Sequence, residues 1–196
     1  MKELIEEFRA AVVATLLLAV LCCGIYPMVV CGIAQAVFPD KANGSLVEAG
    51  GRVVGSSLIG QGFRGSAYFH PRPSAAGQGY DGASSGGTNL GPTSKRLIED
   101  VRSRVEAYRA ENGLPPDAMV PGEAVTSSAS GLDPHISVRN ASLQAARVAA
   151  ARGMTIEKVQ EKVRAHTEGR TFGILGEPRV NALMLNLDLD GKLQSR

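Results

Sequence analysis

The sequence predicts a mixed α/β (α+β) soluble domain carried on a single N-terminal transmembrane helix. Three observations predict it. Ala10 to Val37 is a run of 28 residues without a charged side chain, whereas everything after Phe38 has ordinary soluble-domain composition. Three later segments carry apolar residues at helical spacing, two of them behind good capping residues, and one near the end alternates like a strand. Strands and helices do not alternate regularly, which argues against a nucleotide-binding βαβ fold.

The apolar run is long enough, at about 1.5 Å per helical residue, to cross a hydrocarbon layer about 30 Å thick. A cleaved signal peptide is the rival, because Ala34-Gln35-Ala36 offers a small-x-small site. A retained anchor fits better. The run is about twice the usual signal core, and Glu3, Glu6 and Glu7 stand where basic residues belong. Leu21, Cys22 and Val30 precede the three cysteines, so none sits in a lipobox. Lys2 and Arg9 precede the run, while only Lys41 follows closely, so the positive-inside rule keeps the N-terminus cytoplasmic. The absence of cysteine after Phe38 suits an oxidising compartment. The expected organisation is thus a cytoplasmic segment 1–9, a transmembrane helix 10–37 and a periplasmic domain 38–196, in a bacterial inner membrane.

On the helix, Ala11, Thr15, Ala19 and Cys23 recur every four residues, with Pro27 continuing the row. Such small-xxx-small spacing lets another helix approach closely, and it is also common in spanning helices with no such role. Pro27 is expected to bend the helix or to mark where it leaves the hydrocarbon. No Asp, Glu, Lys, Arg or His lies in the span, so the chain alone forms no ion pathway.

Past the membrane, Leu46 to Val54 and Gly55 to Ile59 read as short strands separated by glycines. His70 to Pro92 is a long Gly/Ser/Pro loop, a candidate contact surface or a linker. Ser94 to Glu111 is a helix with Leu97, Val101, Val105 and Tyr108 on one face and Asn112-Gly113 as its stop. Ser137 and Thr155 cap two more, Val138 to Ala151, rich in alanine, and Ile156 to His166. Leu183, Leu185, Leu187 and Leu189 alternate with polar residues and read as a strand with one buried face.

Composition limits the partners. Lys and Arg exceed Asp and Glu by only three after Phe38, without a basic run, so nucleic acid is not expected. Gly60-Gln61-Gly62-Phe63-Arg64-Gly65 has dinucleotide-fingerprint spacing but runs into prolines where a helix must begin, so it reads as a turn. Gly86 to Thr93 has P-loop glycine spacing with Pro92 in place of the lysine; at most it forms an anion-friendly nest ahead of Ser94. Ser130-Gly131-Leu132-Asp133-Pro134-His135-Ile136-Ser137 gathers an acid, an imidazole and hydroxyls, the raw material of a membrane-anchored hydrolase. The local reading is a turn at Asp133-Pro134, a cap at Ser137 and a backbone bond from His135. No catalytic, cofactor-binding or metal-ligating residue is assigned.

Several segments in order resemble the KdpC family, the small accessory subunit of the bacterial Kdp potassium-transporting P-type ATPase. They are Tyr68-Phe69, Arg72-Pro73-Ser74-Ala75, Thr88-Asn89-Leu90-Gly91-Pro92, Ser130 to Ser137, Ala149 to Gly153 and Gly173-Ile174-Leu175-Gly176-Glu177-Pro178-Arg179-Val180-Asn181. The resemblance implies a high-affinity potassium importer driven by ATP. In it a channel-like subunit conducts the ion and a P-type subunit hydrolyses ATP. The accessory chain, bound to no stable cofactor of its own, raises ATP affinity through the complex as a catalytic chaperone. This chain has no D-K-T-G aspartate to phosphorylate. Of the matching residues, Asn89, Gly91, Pro92, Ser130, Gly131, Leu132, Asp133, Pro134, His135, Ser137, Gly176, Glu177, Pro178, Arg179 and Asn181 are expected to be structural or interfacial. An anchored periplasmic hydrolase built on Asp133 and His135, or an anchored binding module, is the alternative.

Overall fold

A computed structural model describes residues 1–193, and the chain divides into two compact units, Met1–Leu46 and Val47–Arg196. The first is dominated by one continuous helix, Lys2–Val37, 36 residues long and with no residue buried by the rest of the chain. At about 1.5 Å per residue it spans roughly 54 Å, more than the roughly 30 Å of a hydrocarbon layer, so it is long and apolar enough to cross a membrane. It comprises α1 (Lys2–Ala19), a six-residue π turn (Val20–Ile25) and α2 (Tyr26–Val37). The π turn lies directly ahead of Pro27, whose ring cannot donate to, and collides with, the carbonyl four residues back; the wider turn relieves both problems. The helix therefore runs ten residues past Pro27. It ends at Phe38, forced out of helical geometry (φ −136°, ψ 55°) by Pro39 behind it. A single turn, α3 (Pro39–Ala42), follows, and the side-chain amides of Gln35 and Asn43 exchange hydrogen bonds at 3.2 Å.

The second unit opens with a hairpin, β1 (Leu46–Ala49) and β2 (Arg52–Ser56). The break lies at Gly50 and Gly51, both left-handed (φ 60° and 74°), as a two-residue hairpin turn requires, and Gly55 is inside β2 rather than between strands. α4 (Lys95–Glu111) follows a long irregular segment, then α5 (Gly122–Val125), β3 (His135–Ser137), α6 (Val138–Arg152), α7 (Ile156–Ala165), β4 (Thr167–Glu168), β5 (Arg179–Asn181) and α8 (Ala182–Leu189). β5 lies between β3 and β4, antiparallel to both. The hydroxyls of Ser94, Ser137 and Thr155 cap α4, α6 and α7 by accepting the third amide onward, and left-handed Gly153 ends α6.

The core forms where α6 lays Ala141, Ala145, Val148 and Ala149 against Val159 and Val163 of α7, closed by Phe69, Ile136, Val180 and Leu185. The alanines supply little bulk but let the two helices approach. The segment 183–189 is helical, not the strand its alternation suggests. Leucines two apart point to opposite sides of a helix, and here both sides are covered. Leu183 and Leu187 join Val47 in a second cluster, while Leu185 enters the main core and Leu189 packs against it.

The irregular segment from 57 to 94 is held by side chains where a sheet would use strands. Phe69 N–H donates to Asn186 Oδ1 (2.8 Å) and its carbonyl accepts from Asn186 Nδ2 (2.9 Å). Gln144 does the same to the next residue, accepting His70 N–H (2.7 Å) and donating to its carbonyl (3.1 Å). Both amides are buried, and the obligatory backbone groups of a strandless segment are thereby satisfied. Arg147 Nη1 adds bonds to the carbonyls of Ser66 and Tyr68, and Arg152 Nε one to that of Ala67.

Candidate functional site

Two of the sequence segments singled out meet at one place. β3 carries the end of Ser130–Ser137 and β5 the end of Gly176–Asn181, and their register pairs His135 with Asn181, Ile136 with Val180 and Ser137 with Arg179. Ile136 and Val180 face the core, which leaves the flanking polar residues on the other side of the sheet. Ser137 caps α6 and donates its hydroxyl to Glu123 (2.5 Å). Asn181 accepts Met184 N–H as the cap of α8 and donates to the Ser57 carbonyl (2.7 Å). Pro134 is buried, and its carbonyl accepts Ala182 N–H. These residues thus fix where both flanking helices begin.

The upstream half of the first segment is a dock for the irregular loop. Gly131 is left-handed (φ 68°), and a Cβ there would lie 2.5 Å from the Gly86 carbonyl oxygen and 2.7 Å from Ala76 N, so no other residue fits. Ser74 Oγ donates to the Gly131 carbonyl (2.6 Å) and accepts from Ala76 and Tyr80 N–H, while Ser130 O accepts from Gly86 N–H (2.9 Å). Gly60 N–H donates to the Leu132 carbonyl (2.8 Å). The loop that the composition left as either a surface or a linker is pinned along this line.

A row of alternating basic and acidic side chains crosses the sheet. Arg72 Nη1 meets Asp133 Oδ2 at 2.9 Å; His135 lies between Asp133 (3.7 Å) and Glu168 (3.8 Å); Arg179 closes the row on Glu168 at 2.9 Å. Asp133 Oδ1 also accepts His135 N–H (3.0 Å). The His135 ring and amide, together with the Arg72 guanidinium, hold the Asp133 carboxyl down at about 2 against partial burial. The imidazole therefore faces carboxylates, whereas the backbone bond expected of His135 is made by its amide. Arg72 Nε is buried without a partner, so this guanidinium is held by two of its nitrogens.

The arrangement is built to hold a shape. Ser137 spends its hydroxyl on Glu123 and the α6 cap, and Ser130 accepts Leu132 N–H, so neither is paired with His135 as a nucleophile needs to be. Among the described residues, no three His, Cys, Asp or Glu side chains are grouped for a metal ion. Gly60 to Gly65 leads into irregular chain and not a helix, as expected. Asn89, left-handed (φ 53°) and exposed, lies with Gly91 and Pro92 on the approach to α4, apart from the sheet junction. Gly176 (φ 78°), Glu177 and Pro178 lead into β5, with Glu177 bound to Arg170 at 2.8 and 2.9 Å. Glu168, which completes the charge row, was not signalled by the sequence, because a two-residue strand carries no periodicity.

In the first unit, Ala11, Thr15, Ala19 and Cys23 are exposed along the helix, and Thr15 donates its hydroxyl to the Ala11 carbonyl (2.8 Å), so its polar group is satisfied internally. A spacing of four advances about 40° per step on an α-helix, so a long row drifts sideways. The π turn rotates less per residue and takes back part of that drift between Ala19 and Cys23.

Residues 8–191 match the family model described as KdpC: K+-transporting ATPase, c chain. The chain is 58% identical over 185 residues to a potassium-transporting ATPase KdpC subunit of Nitratidesulfovibrio vulgaris, covering 93% of this chain and 92% of that one. It is 58% identical over 189 residues to the protein of that name in Myxococcus xanthus (95% and 86% covered). For that of Koribacter versatilis the identity is 52% over 191 residues (97% and 95%).

Proposed function

The chain belongs to the KdpC family of K+-transporting ATPase subunits, and from that premise we propose that it is the non-catalytic accessory subunit of an ATP-driven, high-affinity potassium uptake complex. In this reading it stabilises assembly and raises the ATP affinity of the hydrolysing subunit. The observation that carries it is the pairing of one long apolar helix, free of charged side chains over Ala10 to Val37, with a domain whose motif residues are engaged in building its own frame. Neither part conducts an ion or transfers a phosphoryl group, so the contribution is made through partners.

The helix docks through Ala11, Thr15, Ala19 and Cys23 against a channel-like, potassium-conducting subunit, lipid covering its remaining faces. The N-terminus is cytoplasmic and the domain periplasmic, in the bacterial inner membrane. A periplasmic domain does not touch cytoplasmic ATP. Its effect on nucleotide affinity is a coupling free energy carried by the partner subunits, and by reciprocity ATP binding tightens the accessory subunit's own attachment.

The test is to express the tagged full-length chain with its operon partners and recover it in mild detergent. A polytopic membrane protein and a P-type ATPase are expected to come with it, and removal of the chain is expected to raise the ATP concentration needed for half-maximal potassium-stimulated hydrolysis. Ala19→Leu with Cys23→Phe should weaken recovery of the partners. Full recovery with both substitutions refutes the docking face, and failure of the wild-type chain to recover either partner refutes the subunit reading.

A further inference from the structure

The His70 ring is held from both of its nitrogens. Nε2 lies 3.0 Å from the Gly65 carbonyl oxygen, and Nδ1 lies 3.1 Å from Glu111 Oε1 at the end of α4. Both partners are acceptors only, since a carbonyl and an ionised carboxylate have no proton to give. A neutral imidazole carries one ring proton, so either tautomer leaves a bare nitrogen lone pair facing an oxygen lone pair. Both contacts are hydrogen bonds only when the ring carries two protons and a positive charge.

The surroundings make His70 the group that changes. The charged or titratable side chains facing it are Glu111, Tyr108 and Arg104 from α4 and Arg147 from α6, with Glu123 of α5 beyond them and engaged by Ser137. Arg104 donates to the Val125 carbonyl and stays charged, whereas burial pushes the Tyr108 hydroxyl up and keeps it neutral. Of this set, the imidazole is the one whose charge changes between about pH 5 and 8. The ring is partly exposed at the edge of a cavity of about 160 Å³ that Tyr108 and Glu111 also line, so protons reach it from solvent.

Glu111 has somewhere else to go. Arg147 Nε lies 4.0 Å from the same Oε1, and that guanidinium is fixed by Asn112 Oδ1 (3.0 Å) and by the carbonyls of Ser66 (2.7 Å) and Tyr68 (3.0 Å). The carboxylate therefore stands between two cations, in contact with one and just short of the other. When the ring loses a proton, the attraction to His70 becomes a repulsion between lone pairs, and Arg147 is left as the nearer cation.

We infer that His70 is a proton-operated latch: doubly protonated, it ties the Gly65–His70 turn to the end of α4, and on losing a proton it releases Glu111 to Arg147 and the tie opens. The inference goes beyond the accessory-subunit reading and does not depend on it. The tie is complete at low pH and is lost as pH rises through the titration of the ring. Asn186 and Gln144 clasp the backbone of Phe69 and His70 in either state, so the response is confined to the link between this turn and α4.

The test uses the full-length chain in detergent with ¹⁵N-labelled histidine, the His70 signals being assigned by their loss in His70→Gln. Both ring nitrogens are expected to be protonated at about pH 6 and only one by about pH 8.5. In Glu111→Gln the second proton should leave about 1 pH unit lower, because the carboxylate that favours it is gone. Glu111 is half-exposed on the helix surface, so glutamine there leaves the fold intact. Amide hydrogen exchange of Ser66, Ala67 and Tyr68, corrected for the intrinsic rate, reads the tie itself. Between those pH values their protection should fall about fivefold or more in the wild type, and stay level in Glu111→Gln and His70→Gln. A ring with one proton already at about pH 6, an unchanged titration in Glu111→Gln, or an equal fall in protection in the two variants overturns the latch.

Discussion

Asn186→Leu isolates what the side-chain clasp contributes. Leucine has the same number and branching of side-chain heavy atoms as asparagine and bulkier ends, so the substitution leaves no cavity. It removes both partners of Phe69, whose amide and carbonyl lie 2.8 and 2.9 Å from the Asn186 side chain with both residues fully buried. Each backbone group left unpaired away from water costs about 1–3 kcal/mol, and the greater hydrophobicity of leucine offsets about 1 kcal/mol. The expected net loss is roughly 1–5 kcal/mol. For a domain of this size that lowers the melting temperature by roughly 2–20 °C. Urea denaturation of the full-length chain in detergent, with the slope of the transition compared between variants, measures it. Gln144→Leu should cost less, because His70 is only half-buried and water can reach its backbone. A loss under about 0.5 kcal/mol for Asn186→Leu at unchanged slope would show that the segment is held by packing of Phe69 alone, and the reasoning would fail.

Gly131→Ala should cost more than about 2 kcal/mol and free the loop for proteolysis near Gly86, since its Cβ has no room and its backbone is left-handed. Asp133 is held at about 2 in the folded chain, below its unfolded value, so it stabilises the fold above pH ~4, and that contribution is lost as pH falls from about 4 to 2. Allowing for partial solvent screening the span is about 1–2 kcal/mol, and Asp133→Asn should flatten that part of the pH–stability curve. Asn181→Ala should lose about 1–2 kcal/mol by uncapping α8 and freeing the Ser57 carbonyl, read as a lower urea midpoint.

Much of this was legible in the chain because local chemistry decided it. Ser137 and Thr155 announced two helices, and each does cap one, while Ser94, read as the first residue of a third, is its cap. The segment 183–189 was misread because alternating leucines satisfy two geometries at once, a strand with one buried face or a helix with two. Asn181 as a cap and left-handed Gly191 after the last turn were the signals for the helix, together with the high helix propensity of leucine. The sheet could not be read. His135–Ser137 and Arg179–Asn181 are three residues each, and they become strands through pairing across more than 40 residues of sequence. The full charge row was invisible for the same reason: Arg72, the neighbouring Asp133 and His135, Glu168 and Arg179 come from separate segments and share a site only after the sheet forms. Gln144 and Asn186 looked like ordinary polar positions, since nothing in a sequence marks which amide meets which backbone.

The clasp on Phe69 and His70 also sets an order of events during synthesis. The amide that holds Phe69 lies 117 residues further along the chain, and the one that holds His70 lies 74 further. At the usual translation rate of roughly 5–20 residues per second, Phe69 waits about 6–25 s for its partner to be made. During that interval the apolar residues around Phe69 are present without the helices that enclose them. The domain is completed from its C-terminal end backwards, and a chain that stops short of α8 leaves its earliest soluble segment unheld.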